Sequence, residues 1–202
     1  MYKIADRSKI LRLLLINLET KDDFELCLKK TLDELKLDSK TKEKISNEIF
    51  ANGINSLIFE LNIFINEMMN KGKPQNFKKL RLNEKIRFLV IHRIKIIDKY
   101  FNKNTIMKLV LKQKSLPILT KMLFKVSDEI WFLSGDKSTD FNFYSKRLIL
   151  MNIYASSFIF NLRNNSKDYS KTIKFIDKQI DSVLRFGRIK SKLKNLIYPK
   201  SM

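Results

Sequence analysis

DEIWFLSGDKSTDFNFYSKR, residues 128–147, is the stretch that decides the fold of this chain. Apolar residues at helical spacing run up to it and continue beyond it, whereas its middle is polar. Gly135 suits a left-handed cap at the end of a helix because glycine has no Cβ. Ser138, Thr139 or Asp140 can then cap the next helix by accepting hydrogen bonds from free backbone N–H groups. The stretch therefore predicts a tight corner between two helices.

Composition points to a single α-helical domain over residues 1–202. The chain has only three Pro and four Gly, too few for the many turns of an all-β fold. Cys27 is the only cysteine, which excludes an intrachain disulfide and a zinc cluster built on thiolates. No secretory signal is evident at the start of the sequence, and no apolar run approaches the roughly 20 residues of a spanning helix.

Apolar periodicity predicts about nine helices and no strand. The predicted helices cover 4–19, 23–36, 40–49, 52–70, 83–101, 104–115, 116–133, 140–163 and 168–186. In the helix after the corner, a wide apolar stripe is formed by Phe141, Tyr144, Leu148, Met151, Ala155 and Phe158. A neighbouring face of the same helix holds Phe143, Arg147, Leu150 and Tyr154.

The first three helices, within residues 1–50, resemble a helix-turn-helix unit whose third helix would enter a DNA groove. That helix is basic but also carries Glu43 and Glu48, and it has no arginine to pair with guanine. Phosphate contact therefore remains open, while sequence readout is poorly supported. The net charge of +20 is compatible with nucleic acid, with an anionic membrane, or with a lysine-rich coding bias.

The end of the chain, residues 187–202, reads as a basic amphipathic tail. No acidic residue follows Asp181, and apolar residues cluster on one helical face. Such a helix suits the surface of an anionic bilayer, whereas a terminal helix that simply packs on the domain is the open alternative. The predicted membrane-contact residues are Arg188, Ile189, Lys190, Lys192, Leu193, Lys194, Leu196 and Ile197.

Catalytic patterns are weak in this sequence. His92 is the only histidine, so neither a nucleophile–His–acid set nor a bundle di-iron site with its Glu-x-x-His motif can be assigned. No glycine-rich phosphate loop is present. Asp136 and Asp140 fit helix-terminus groups better than a carboxylate pair. We expect no catalytic residue, no metal and no cofactor.

The corner resembles the signature of the Coq-nine family, accessory proteins of ubiquinone biosynthesis. The residues on that pattern are Gly135, Asp136, Ser138, Thr139, Asp140, Phe141, Asn142, Tyr144 and Arg147. Upstream, Phe50-Ala-Asn-Gly53 is similar to the Phe-x-x-Gly element of the family. Phe143 is a departure, since the family commonly has Trp at this position.

The resemblance implies an all-α homodimer like the TetR regulators, with the DNA-reading function of the first helices lost. It implies that the bundle 51–186 binds a phospholipid or an isoprenoid quinone intermediate and presents it to the di-iron hydroxylase of ubiquinone synthesis. It also implies a location at the cytoplasmic face of a bacterial inner membrane, or on the matrix side in mitochondria. A TetR-type transcriptional regulator remains the alternative.

The resemblance also suggests residues for each task. Lipid-binding candidates are Trp131, Tyr144, Leu148, Met151 and Phe158, although core packing explains each of them equally well. Candidates for an exposed patch that binds the hydroxylase are Ile130, Asp140, Phe143 and Tyr144. Tyr144 is in both sets because the sequence does not say which way it faces. For Arg147 we expect an ion pair with Asp140 or Asp136.

Overall fold

The protein is described by a computed structural model that covers residues 4–112, 116–164 and 168–197. Within these ranges, the side chains of 4–6, 110–112, 116, 140 and 186–197 lie outside the description. The described residues form nine α-helices and no strand, so the predicted all-α class is confirmed. The helices are α1 Ile4–Thr20, α2 Phe24–Glu34, α3 Ser39–Lys44, α4 Ile54–Lys71, α5 Leu82–Tyr100, α6 Lys103–Lys112, α7 Leu116–Ser134, α8 Asp140–Arg163 and α9 Ser170–Ile197.

Aspartates fix the starts of two early helices. The Asp23 carboxylate accepts a hydrogen bond from the backbone N–H of Leu26 at 3.1 Å and so begins α2. Asp38 does the same for α3, through the N–H of Thr41 at 2.9 Å. Polar residues at these positions therefore start α2 and α3.

The chain divides into two compact units. Unit 1 comprises Met1–Gln75 with His92–Val126, and unit 2 comprises Asn76–Ile91 with Ser127–Met202. The division falls inside α5 and α7, so each of these helices contributes residues to both units.

Unit 1 is built on α1, which packs against α2, α4 and α6. Its core is apolar and is formed mainly by Ile10, Leu11, Leu14, Leu28, Leu32, Leu57, Phe64, Met69 and Ile94. Cys27 is buried among these residues. Arg7 of α1 also forms ion pairs with Glu60 at 3.1 Å and Glu67 at 2.7 Å, which tie α1 to α4.

The Phe50–Gly53 element forms the junction between the third helix and α4. A π-helical turn, Ile45–Ile49, extends α3, and the chain then bends by 95° into α4. Gly53 has φ 57°, which favours glycine, and the buried Phe50 ring lies 6.2 Å from that of Phe24. We name this segment the first junction. It is stabilised by apolar packing.

Unit 2 is built on the pair α8 and α9. The rings of Phe160 and Phe175 stack 4.5 Å apart between them, and Arg87 of α5 binds Asp177 of α9 through two contacts of 2.5 and 3.0 Å. The buried residues of this unit include Leu89, Val90, Ile130, Trp131, Leu150, Ile153, Tyr154 and Ile176.

The corner between α7 and α8 has the predicted glycine cap. Gly135 has φ 86°, and its N–H donates to the carbonyl of Phe132, while the Asp136 N–H donates to the carbonyl of Trp131, each at 3.0 Å. This pair of bonds is a Schellman motif. Thr139 occupies the N-cap position of α8, with extended backbone and no capping hydrogen bond from its side chain.

Helix α8 has apolar residues on two opposite faces, and the predicted stripe is largely the exposed one. Phe141, Tyr144 and Leu148 are exposed, whereas Met151 and Phe158 are half-buried. The core side of α8 instead carries Arg147, Leu150, Ile153, Tyr154, Ser157 and Asn161. Periodicity alone could not distinguish the two faces, because both are apolar.

Helix α9 differs from its predicted length. The sequence suggested a helix ending near residue 186 and a separate short tail helix, whereas the structure has one helix of 28 residues, Ser170–Ile197. Across the described residues no single helix is long and apolar enough to cross a membrane. The bent pair Ser39–Ile49 and Ile54–Lys71 reaches the required length and composition only when both parts are taken together.

Candidate functional site

Four charged side chains meet at the corner of unit 2, and we name them the corner cluster: Asp128, Asp136, Lys146 and Arg147. The Arg147 guanidinium binds Asp128 through Nε at 2.6 Å and Asp136 through Nη1 at 3.4 Å. Lys146 binds the other Asp136 oxygen at 2.8 Å. The Arg147 and Asp136 side chains are both buried, so the cluster is an internal tie between α7, the corner and α8.

Two aromatic residues pack around these charges. The Arg147 guanidinium lies 3.3 Å from the centre of the Phe143 ring, and it also donates to the Phe143 carbonyl at 3.1 Å. Lys146 lies 5.2 Å from the Trp131 ring, whose indole N–H donates to the Lys146 carbonyl at 3.1 Å. Cation–π contacts and hydrogen bonds therefore offset the hydration energy that Lys146 and Arg147 lose on packing at the corner.

The corner cluster also sets the ionisation of Asp136. Burial raises the pKa of this carboxyl, but hydrogen bonds from Lys146 and Ser138 and the charge of Lys146 outweigh burial and lower the pKa to about 2. Asp136 is therefore ionised at neutral pH. A carboxylate in this state can anchor cations but cannot donate a proton in general acid catalysis.

Opposite the core, α8 presents a row of exposed apolar side chains that we name the α8 outer face: Phe141, Tyr144, Leu148 and Ile159. Their exposed fractions are 79%, 60%, 53% and 53%. The spacing of these positions places them within about one third of the helix circumference. Several large apolar side chains exposed on one side of a helix are typical of a binding site for a protein, a lipid or a membrane.

The structure divides the predicted lipid-binding residues. Trp131 is buried, with its indole N–H satisfied, so it belongs to the core of the corner. Tyr144 and Leu148 lie on the α8 outer face. Met151 is half-buried, and Phe158 is half-buried and stacks on Tyr154 at 5.9 Å. The accessible apolar surface therefore lies on the solvent-facing side of α8, and Trp131 is not part of it.

The predicted exposed patch needs one correction. Ile130 is fully buried, because it lies on the core side of α7, and it cannot belong to an exposed surface. Phe143 is half-buried under Arg147, and Tyr144 beside it is exposed, with the two rings in edge contact at 5.1 Å. Asp140 is the first residue of α8, and its side chain lies outside the description.

The predicted membrane-contact residues belong to the last third of α9. The side chains of Arg188, Ile189, Lys190, Lys192, Leu193, Lys194, Leu196 and Ile197 lie outside the described residues. Further towards the start of α9, exposed Lys174, Lys178 and Arg185 line a groove of about 360 Å³ together with Asp177 and Asp181.

Chemistry-bearing residues elsewhere do not assemble into a metal site within the described ranges, since no group of three His, Cys, Asp or Glu side chains comes together there. His92 is half-buried on α5 in unit 1, beside Gly72. Burial lowers the pKa of this imidazole, and a hydrogen bond with the Met68 backbone partly offsets that effect.

The second and third helices of the helix-turn-helix-like region carry more carboxylates than lysines. Residues 22–48 carry eight carboxylates and six lysines, a net charge of −2 in a chain of +20. Lys42 binds Asp33 at 2.6 Å, and Lys44 lies 3.9 Å from Glu48. Of these two lysines of the third helix, Lys42 is therefore held by a short ion pair, while Lys44 makes only a long, exposed one, and both contacts compete with phosphate binding.

Sequence reasoning missed Asp128 and Lys146. Arg147 was predicted to pair with Asp140 or Asp136, and the structure shows Asp136 together with Asp128. Asp128 is 19 residues from Arg147, and only the fold of the corner brings the two together. The sequence signal for this pair was that residues 128–147 begin with a carboxylate, Asp128, and end with a guanidinium, Arg147.

The part of the chain with these features has known relatives. Residues 116–187 match the COQ9 family model. The probable ubiquinone biosynthesis protein coq9, mitochondrial, of Dictyostelium discoideum is 28% identical over 127 residues, or 62% of this chain and 41% of the relative. The mitochondrial ubiquinone biosynthesis protein COQ9 of Homo sapiens is 31% identical over 81 residues, or 40% and 24% of the two chains. That of Schizosaccharomyces pombe is 40% identical over 58 residues, or 29% and 23%.

The aligned part of this chain thus spans less than half the length of each of these relatives. The family match includes the corner cluster and the α8 outer face, and it begins and ends within α7 and α9. The resemblance predicted from the corner is confirmed for residues 116–187, the part of the chain that matches the COQ9 family model.

Proposed function

We propose that this protein is a non-catalytic accessory protein of ubiquinone biosynthesis that shelters a lipid tail on the α8 outer face. The ligand class is a phospholipid or an isoprenoid quinone intermediate, which the protein presents to the di-iron hydroxylase of the pathway. The observation that carries the proposal is that the residues matching the COQ9 family also expose Phe141, Tyr144, Leu148 and Ile159.

The physical argument is the cost of exposing hydrocarbon to water. A prenylated quinone is almost insoluble, because each buried CH₂ group is worth about 0.8 kcal/mol relative to water. Moving such a tail from a bilayer to an enzyme requires an apolar surface along its path. The α8 outer face supplies such a surface on a rigid helix, and a second copy of the chain could cover it in the homodimer that the family implies.

The chemistry of the corner favours an accessory role. The carboxylate of Asp136 is committed to Lys146 and Arg147, and its pKa of about 2 keeps it ionised. Tyr144 and Phe143 provide aromatic contact area next to this charged cluster. An exposed aromatic anchor beside fixed charges is a common form of protein-binding hot spot. We assign this edge of the α8 outer face to the hydroxylase.

We place the protein at a membrane surface in mitochondria or in a bacterium. The relatives reported above are named as mitochondrial proteins. The basic end of α9 would contact anionic lipids, with each lysine or arginine near the surface contributing about 1 kcal/mol. Charge reversal of Lys190, Lys192 and Lys194 should weaken flotation with anionic liposomes, whereas unchanged flotation would contradict this membrane contact.

The lipid proposal is tested by extracting the purified protein with organic solvent and identifying the extract by mass spectrometry. The expected result is phospholipid or isoprenoid in stoichiometric amounts. In the Tyr144→Ser/Leu148→Ser variant the amount should fall roughly tenfold, because two large apolar contacts are lost.

Ile16→Ser is the matched control, since Ile16 of α1 is as exposed as Leu148 but lies outside the matched region. It should retain the wild-type amount of lipid. Lipid-free extracts from the wild type, or equal losses in the variant and the control, would contradict the proposal.

A TetR-type regulator is not supported to the same degree. The net charge of −2 over residues 22–48 and the Lys42–Asp33 pair oppose phosphate binding at the third helix. A sequence-selective, steeply salt-dependent shift of duplex DNA would reverse this judgement, whereas a similar shift on any DNA would report only the overall charge.

A further inference from the structure

The surface of unit 1 contains a groove between α2 and the third helix, which we name the α2–α3 groove. It has a volume of about 560 Å³ and is open to solvent along one side. Its lining combines four carboxylates and two lysines with three leucines. This composition is unusual for a chain with a net charge of +20.

The base of the α2–α3 groove is apolar. Leu28 and Leu32 of α2 lie at its base and are buried, and Leu26 projects from the same helix with 44% of its surface exposed. An exposed leucine above a buried leucine floor provides a contact site for another apolar side chain.

The rim is acidic, and its carboxylates are not all neutralised. Asp23 caps α2, and Asp33 binds Lys42 at 2.6 Å. Glu25 on α2 and Glu43 on α3 are exposed, and neither forms a hydrogen bond or an ion pair with any described residue. One available carboxylate therefore lies on each of the two helices that form the groove.

We propose that the α2–α3 groove binds a basic amphipathic helix of a partner protein. The apolar stripe of that helix would pack on Leu26, and its lysine or arginine side chains would lie beside Glu25 and Glu43. An apolar contact flanked by complementary charges on both sides is the usual arrangement when an amphipathic helix binds in a groove. The region that resembles a DNA-reading unit thus binds a cation-bearing protein instead of a phosphate backbone.

The test uses the full-length protein and a fluorescein-labelled peptide of lysine and leucine, about four helical turns long, with leucine on one face. Fluorescence anisotropy should show saturable binding. A scrambled peptide of the same composition, without an apolar face, should bind at least tenfold more weakly. Leu26→Ser should weaken binding of the patterned peptide roughly tenfold.

The charge contribution is measured with two matched double variants. Glu25→Gln/Glu43→Gln removes the two available carboxylates and should weaken binding roughly tenfold. Glu34→Gln/Glu48→Gln makes the same charge change in the same region at residues outside the groove lining, and it should change binding less than twofold. Circular dichroism and urea midpoints confirm that all variants remain folded.

Several results would overturn the proposal. Equal binding of the patterned and scrambled peptides would reduce the interaction to unspecific charge attraction. Equal effects of the two double variants would remove the groove as the site. Gel-filtration self-association that is lost only in Leu26→Ser and Glu25→Gln/Glu43→Gln would assign the groove to a second copy of this chain, and competition by duplex DNA would assign it to nucleic acid.

Discussion

The first junction, at Phe50–Gly53 in unit 1, and the corner at Gly135 in unit 2 both turn the chain at a glycine with positive φ. The first junction is held by two phenylalanine rings 6.2 Å apart. The corner is held by the ion pairs of the corner cluster, in which Arg147 and Asp136 are buried. The COQ9 family match includes only the corner. Two turns that share a glycine with positive φ can therefore depend on opposite kinds of interaction, and only one of them should respond to pH.

Phe50→Ala should produce the largest loss of stability, about 3–4 kcal/mol, because a buried ring leaves a cavity at the first junction. Urea unfolding followed by circular dichroism measures the change. The control is Phe59→Ala on α4, whose ring is 40% exposed, and we expect a cost of about 1 kcal/mol. Similar costs for both variants would show that the first junction does not depend on the packing of Phe50.

Arg147→Leu should destabilise the corner by about 3 kcal/mol, because it removes the shared partner of Asp128 and Asp136 in a buried site. Arg87→Leu breaks an exposed two-contact ion pair with Asp177 in the same unit and should cost about 1 kcal/mol or less. A cost for Arg147→Leu as small as that of Arg87→Leu would mean that burial does not strengthen the corner cluster.

Asp136→Asn should cost about 2 kcal/mol at neutral pH, since Lys146 and Arg147 both lose a charged partner. The pKa of this carboxyl is lowered to about 2 in the folded state, against about 3.9 in an unfolded chain. Its stabilisation is therefore complete above about pH 4 and disappears as the pH falls towards 2.

Urea midpoints of the wild type and Asp136→Asn should accordingly converge between about pH 4 and pH 2. The cost of Phe50→Ala should stay constant over the same interval, because neither ring of the Phe24–Phe50 contact is ionisable. A constant difference between the wild type and Asp136→Asn would show that the charge of Asp136 is not what stabilises the corner.

Gly135→Ala should have the smallest effect of the series, about 1 kcal/mol, from backbone strain alone. No atom lies within 4 Å of the position that a Cβ would occupy, so steric crowding adds nothing. Gly135→Asn should cost less than Gly135→Ala, since asparagine tolerates the left-handed conformation. The reverse order, measured by thermal unfolding, would contradict the assigned cap.

The sequence was sufficient for the corner and for every helix except α9, whose predicted end was too early, because most of these signals are local. The caps at Asp23, Asp38 and Gly135 depend on residues within a few positions of each other. The two leucines Leu28 and Leu32 follow helical spacing and are both buried on one face of α2. Features of this kind require no knowledge of distant parts of the chain.

The choice of buried face on α8 was beyond sequence reasoning. Both Leu148 and Leu150 belong to apolar stripes, and the structure exposes the first and buries the second. The buried stripe also contains Arg147, a residue type that is seldom buried without partners. Its partner Asp128 lies on the preceding helix, so the compensation becomes visible only in three dimensions.

The unbroken α9 has a mechanical consequence. A helix of 28 residues is about 42 Å long, and its hydrogen-bonded backbone resists bending. A tilt of about 10° near Ser170 would displace Ile197 by about 7 Å. A force applied at the basic end would therefore be transmitted along the rigid helix to Phe175 and Ile176. Anchoring this end to a surface would also fix the angle between α9 and α8.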